Sequence, residues 1–245
     1  MAFFLVVQPA WAQPARRTTV VGQPPVPAAP AAVPENVWHL DLTTGGRVSI
    51  QLRPDVAPNH VERIRTLTRQ GFYNGLVFHR VIEGFMAQSG DPTATGAGGS
   101  ELPDLVAEIY GLPHVRGAVG MARAEDINSA NSQFYIMFVP RLAMDRDYTI
   151  VGRVIGGMNF VDAIERGEPP LAPTRIVRAS MGSDNVPALS AEELRAAATQ
   201  VASTPAGGDL LHSGASAGVG PAVPAPPLPP RELEPARGPQ GRPPR

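Results

Sequence analysis

The chain has 245 residues, no Cys, a formal net charge of −1, and only Arg among its 21 basic residues. That excludes disulfide scaffolds, thiolate nucleophiles, zinc fingers, iron–sulfur clusters, Schiff-base lysines and the P-loop lysine. It leaves no net basic field for nucleic acid, and no run approaches the ~20 apolar residues of a membrane span.

An apolar run from Ala2 to Val7 leads to Ala10-Trp11-Ala12, a small-x-small cleavage pattern. Residues 1–12 are therefore expected to be an export signal, although a positive n-region is missing and the run is short. A periplasmic or secreted location follows, with the cytoplasm as the alternative. Residues 13–35 are rich in Pro and Ala and read as an extended linker.

The texture changes over 36–184, which is expected to be the folded domain. Residues 37–42 and 47–52 alternate like strands around Thr43-Thr44-Gly45-Gly46, predicting a β-hairpin. Pro58 opens a helix carrying Val61, Ile64 and Leu67 at helical spacing, and Gly71 ends it. Strand-like runs follow at 77–82 and 85–88, then a Gly/Thr loop over 90–99. Further strands are expected at 117–122, 133–139, 148–154 and 174–180, with a second short helix at 160–165. Many short strands with turn signals between them predict a mainly β fold, a closed β-barrel with two helices spliced in. Residues 185–245 form a tail. Ser190 is placed to cap a short helix with Glu192 and Glu193 in its first turn, and Leu194 and Ala198 on one face. The remainder, with ten prolines between Pro221 and Pro244, is expected to be largely disordered.

The common catalytic devices are missing: there is no His-Glu-x-x-His, Gly-x-Ser-x-Gly or Walker loop. Gly96-Ala97-Gly98-Gly99 lacks the third dinucleotide-spaced glycine, since Glu101 stands there. Glu101, Asp104 and Glu108 have no His beside them and read as a solvated face. The five histidines (39, 60, 79, 114, 212) show no ligand spacing. What remains is the segment from Phe78 to Asp91, apolar and amide-rich, with Arg80 inside it. Strict alternation would put Phe78, Arg80 and Ile82 on one side, His79 and Val81 on the other. A guanidinium in so apolar a strand needs a reason. One is an ion pair with Asp91 or Glu83; the other is function.

The run Phe78-His79-Arg80-x-Ile82-x-Gly84-Phe85-Met86-x-Gln88-x-Gly90-Asp91 resembles the signature of cyclophilin-type peptidyl-prolyl isomerases. Gly120-Met121-Ala122-Arg123-Ala124, Asn131-Ser132-Gln133-Phe134-Tyr135-Ile136, and Met144-Asp145 through Tyr148 to Val154 resemble later family motifs in order. The resemblance spans roughly residues 37 to 182. It implies an eight-stranded antiparallel barrel capped by two helices, with a groove on its outer face. Carried over by motif, Arg80, Gln88 and Gln133 are the catalytic set. Phe85, Met86, Tyr135, Met144 and Tyr148 would line a proline pocket, and Ala122 and Arg123 would offer main-chain hydrogen bonds. Phe134, offset by one, should point into the core. His79 is expected to be structural. The family's Asn is Arg123 here. Ala143 stands where animal members carry a Trp linked with cyclosporin binding, implying weak drug affinity. Tyr148 replaces a frequent His, as in bacterial members.

The implied reaction is rotation about X-Pro bonds of unfolded or exported chains, with proline-containing polypeptides as partners and no cofactor or metal. The alternative is a non-catalytic module or chaperone that grips proline segments. A monomer is the expected state.

Overall fold

The computed structural model describes residue 28 and residues 31–202. The expected export signal, most of the linker, and the Pro-rich end beyond residue 202 lie outside the described residues.

Alternation builds the first hairpin. Strands β1 (Val37–Leu42) and β2 (Gly46–Leu52) pair antiparallel from Val37–Gln51 to Leu42–Gly46. Trp38, Leu40, Leu42, Val48, Ile50 and Leu52 all turn inward and are fully buried. Helix α1 (Pro58–Arg69) follows, with Pro at its start and Val61, Ile64 and Leu67 buried. Its first main-chain N–H groups are met by a side chain from far along the chain. Glu108 accepts from Asn59 N and His60 N, each at 3.1 Å. A carboxylate here satisfies orphan donors and complements the helix dipole. Glu108 is thus a helix cap, and no metal-like cluster occurs among the described residues.

Strands β3 (Arg80–Ile82), β4 (Met86–Ser89), β5 (Ala118–Met121), β6 (Phe134–Met137), β7 (Ile150–Gly156) and β8 (Ile176–Met181) complete a curled antiparallel sheet in the order β3-β4-β6-β5-β7-β2-β1-β8. The expected eight strands are present. Edge strands β3 and β8 share no ladder. The segments leading into them meet at a short seam: a Val77–Arg175 bridge, with Phe78 N donating to Thr174 O, Gly75 N to Ile176 O, and Ile176 N to Leu76 O. α1 lies against β8, and α2 (Met158–Asp162) lies against β2. The second helix begins two residues before its expected start and ends three before its expected end. Gly157, at φ +78°, sets its start, and a Cβ there would meet Arg47 O at 2.1 Å.

The inner face packs Trp38, Tyr73, Phe78 and Phe134, with Trp38 4.9 Å edge-on to Phe134 and 5.1 Å from Tyr73. Phe134 points into the core, as expected. Phe78 does so too, which corrects the simple alternation. Val77 and Phe78 bond across the seam, and β3 starts only at Arg80, so period two is broken between Phe78 and Arg80.

A third helix, α3 (Ala191–Ala202), forms where Ser190 was expected to cap it. Ser190 N donates to Glu193 Oε2 at 2.7 Å, and Glu193 N donates to Ser190 Oγ at 3.2 Å, a reciprocal capping box. Leu194 is fully buried. The approach to α3 is tied down by a charged row across β2, β1 and β8. Buried Asp41 accepts from Arg47 (2.8 and 3.0 Å) and Arg178 (3.1 Å). Arg47 also donates to Val186 O and Pro187 O, and Arg178 donates to Pro187 O.

Four histidines on this frame (His39, His60, His79 and His114) are held below their ordinary pKa, burial being the largest cause for each. The unfolded chain, titrating near 6.5, then binds protons that the folded chain refuses. Stability contributed this way is present above that value and is lost as pH falls through the lower folded values. The melting temperature, followed by circular dichroism from pH 8 to 5, should be level above about pH 7 and fall below it. A melting temperature that rose on acidification would contradict this.

Candidate active site

Sheet register assembles the site. Arg80 lies opposite Gln88, Gln88 opposite Tyr135, Tyr135 opposite Gly120, and Gly120 opposite Ile150. Cross-strand partners project to the same face, so these residues form one row across β3, β4, β6, β5 and β7. The next row, Val81, Ala87, Ile136 and Val119, faces the inner core.

The outer row sits on a second apolar cluster, made of Phe85, Met86, Ala118, Ala122, Tyr135, Met137, Tyr148 and Ile150, with Ile82 and Met144 against it. Four of the five expected pocket residues are in this cluster, and the fifth, Met144, packs against it. Met144 ends a short 3-10 turn, Leu142–Met144, and Tyr148 enters from the loop before β7. Tyr148 meets Tyr135 edge-on at 5.9 Å. Gly120 is small by necessity. A Cβ there would lie 2.3 Å from the Tyr135 hydroxyl oxygen and 2.4 Å from Cζ.

The polar groups line up beside this pocket. Gln88 Nε2 donates to Gln133 Oε1 at 2.8 Å. Gln133 Nε2 in turn donates to Gly96 O (3.0 Å) and Gly98 O (2.8 Å), anchoring both amides to the glycine loop. Gln88 Oε1 and Arg80 Nη1 are left buried without partners, on two residues that face each other in register. A buried orphan acceptor beside a buried orphan donor is costly unless something else fills the gap.

Arg80 is held differently from expectation. Among the described residues it pairs with neither Asp91 nor Glu83. Its Nε donates to Glu168 Oε2 at 2.8 Å. Glu168 arrives there because Gly167 exchanges two main-chain hydrogen bonds with Val81, at 2.8 and 2.9 Å. Asp91 instead accepts from Thr93, Gly96 and Gly98 N–H groups and shapes the glycine loop. Those bonds hold its carboxyl below the usual range against the opposing effect of burial. Glu83 pairs with Arg166.

Arg123 folds over Tyr148, with its Cζ 4.7 Å from the ring centroid. Its guanidinium donates to Ala124 O, Glu125 O and Asp147 O. The side chain thus braces the pocket wall. A cleft of about 230 Å³ continues the groove past Ala122, Arg123 and Gln133 toward Gly98, Gly99 and Asp104. His79, 5% exposed and offset by one from Arg80, turns away from the pocket toward Gln133 and the Val77 main chain.

Sequence reasoning missed three contributors. Glu168 lies 88 residues from Arg80, and only the Val81–Gly167 pairing brings them together. His114 and Asp145 lie beneath the pocket, at 21 and 10 residues from Tyr135; Asp145 stands in a family motif but carries no expected role, and no local pattern announces His114.

Comparison with known proteins identifies a family. Residues 39–181 match the family model for cyclophilin type peptidyl-prolyl cis-trans isomerases. A Brucella suis protein named "Probable peptidyl-prolyl cis-trans isomerase" is 46% identical over 175 residues, covering 65% of this chain and 89% of that one. Peptidyl-prolyl cis-trans isomerase B of Bacillus subtilis is 36% identical over 129 residues, 52% of this chain and 89% of that one. Among solved structures, a cyclophilin from Hirschia baltica is similar at TM-score 0.58 and 32% identity, covering 64% of this chain and 77% of that one. A Cryptosporidium parvum cyclophilin-type isomerase crystallised in the presence of the dipeptide Ala-Pro is similar at TM-score 0.56 and 26% identity, covering 59% and 98%. Family model and relatives define a prolyl isomerase. The chain belongs to the cyclophilin-type peptidyl-prolyl cis-trans isomerase family.

Proposed function

We propose that Arg80 drives the rotation of X-Pro bonds in proline-containing polypeptides bound over the Phe85–Met86–Tyr135–Met144–Tyr148 pocket. The observation that carries this reading is the orphan pair, Arg80 Nη1 and Gln88 Oε1, buried beside an apolar pocket.

The peptide C–N bond is partly double, which sets a barrier of about 18–20 kcal/mol. Uncatalysed X-Pro exchange takes roughly tens to hundreds of seconds. As the bond twists, conjugation is lost and the proline nitrogen regains its lone pair. A fixed guanidinium donor aimed there stabilises the twisted amide more than either planar form. Arg stays charged across the working pH range. Gln88 Oε1 is free to accept from a substrate amide, and the Ala122–Arg123 main chain supplies further contacts. No bond breaks, so the step needs no base or nucleophile.

We read the curled sheet as a barrel closed at the seam between 75–78 and 174–176. We further infer that the protein is bacterial and exported, with clients in the periplasm or outside the cell, and that it works as a monomer. The Ala10-Trp11-Ala12 pattern supports export; a mature protein that begins at Met1 would count against it. No helix of the described residues is long and apolar enough to cross a membrane.

The test is cis-to-trans isomerisation of a short Ala-Pro peptide by the whole chain. Turnover far above the uncatalysed rate supports the reading. A folded chain that binds the peptide without turnover would favour the gripping module instead.

A further inference from the structure

His114 is fully buried and takes no part in the step just described. Both its ring nitrogens are nevertheless engaged. Nδ1 lies 2.9 Å from Asp145 Oδ1, and the same oxygen accepts the His114 main-chain N–H at 2.8 Å. Nε2 lies 2.8 Å from the Tyr135 hydroxyl. A carboxylate accepts and does not donate, so the ring proton sits on Nδ1. Nε2 is then a lone pair, and the Tyr135 hydroxyl is the donor. The two rings stack with centroids 6.0 Å apart, and Tyr148 meets His114 edge-on at 6.1 Å. Asp145 directly follows Met144 in the chain. Two of the five pocket residues therefore rest on one imidazole, and a third, Met144, precedes the carboxylate it binds.

We propose that His114, in its neutral Nδ1–H form, is the positioning residue of the proline pocket, tying the Tyr135 ring to the Met144–Asp145 segment. The proposal rests on the pocket assignment above.

Protonation would turn Nε2 into a donor. The Tyr135 hydroxyl would have to turn its hydrogen away, and it has no other partner among the described contacts. Asp145 and Asp147 favour the imidazolium, while burial opposes it and is the largest influence, holding His114 below its ordinary value. The other polar neighbours add no acceptor. Arg141 gives its main-chain N–H to His114 O at 2.7 Å. Arg123 lies over Tyr148, and Arg116 turns away to Phe138 O and Asp162. Isomerisation itself moves no proton, so an acid limb in activity reports a neighbour of the reaction rather than the reaction.

Two measurements on the whole chain test this. Long-range ¹H–¹⁵N correlation at neutral pH, with the His114 signal assigned by its loss in His114→Asn, should show the Nδ1–H tautomer. Turnover of the Ala-Pro peptide from pH 8 to 5, at a temperature where circular dichroism shows the native fold, should reveal an acid limb carried by KM and not kcat. His114→Asn keeps a donor near Asp145 but loses the acceptor for Tyr135. Its KM should rise roughly three- to tenfold, the scale of one lost hydrogen bond, with a flat profile. His114→Gln restores an acceptor near Nε2 and should recover most of KM, also with a flat profile. An Nε2–H tautomer, or an acid limb that persists in a folded His114→Asn, would overturn the proposal. The tautomer is read without substrate, so this failure is separable from failure of the isomerase mechanism.

Discussion

Arg80→Ala should lower kcat/KM for an Ala-Pro peptide by about 10²–10³-fold, the scale of losing one preorganised donor at a developing charge. The fold should hardly notice. Arg80 is bound to Glu168, whose side chain is 51% exposed, and such half-open ion pairs contribute about 0–1 kcal/mol. The variant also removes the buried orphan Nη1, which offsets part of any loss. Arg80→Lys keeps the charge but not the planar fork that Glu168 and the substrate share, so it should recover only a small fraction of the activity. The measurement is peptide isomerisation beside a thermal melt. A folded Arg80→Ala that keeps most of its turnover would remove the guanidinium from the mechanism.

Gly120→Ala is expected to lower both stability and substrate affinity. The added Cβ would stand 2.3 Å from the Tyr135 hydroxyl oxygen, in a place where Tyr135 is 1% exposed. Either the ring or strand β5 must move. Overpacking of this kind costs about 1–3 kcal/mol, or roughly 2–12 °C in a chain of this size. The ring that moves is the pocket floor, so KM should rise with it. Tyr135→Phe in the same background takes away the nearest atom but leaves Cζ at 2.4 Å, so rescue should be partial. Melting and KM of the two single variants and the double variant form a cycle that reads the coupling directly. Additive effects would mean that Gly120 and Tyr135 do not compete for this space.

Local rules made much of this molecule legible. The alternation of 37–42 and 47–52 gave the buried face of each hairpin strand, and Pro58 with Val61, Ile64 and Leu67 gave α1. Ser190 and Glu193 announced α3. The pocket residues came from the family motifs, and the register of β3, β4 and β6 shows why those motifs sit together. What stayed hidden depends on contacts between distant segments. Phe78 left the face expected of it because its main chain bonds to Thr174. Glu168 reached Arg80 through a two-bond pairing 86 residues apart in sequence, Val81 with Gly167. His114 looked like one scattered histidine among five until β6 and the turn at 142–144 closed on it.

The seam has a kinetic consequence. Three main-chain hydrogen bonds and one bridge join 75–78 to 174–176, where neighbouring strands have continuous ladders. Opening free energies vary across a protein, and thinly paired edges open first. Deuterium should therefore enter the amides of Gly75, Phe78 and Ile176 before those of β1 and β2. Arg80 begins its strand two residues beyond Phe78, and Glu168 lies six before Thr174. Fraying at the seam would thus loosen the guanidinium and its carboxylate together while the rest of the sheet stayed closed. A bound proline peptide, by bridging Arg80 to the pocket, should slow that uptake.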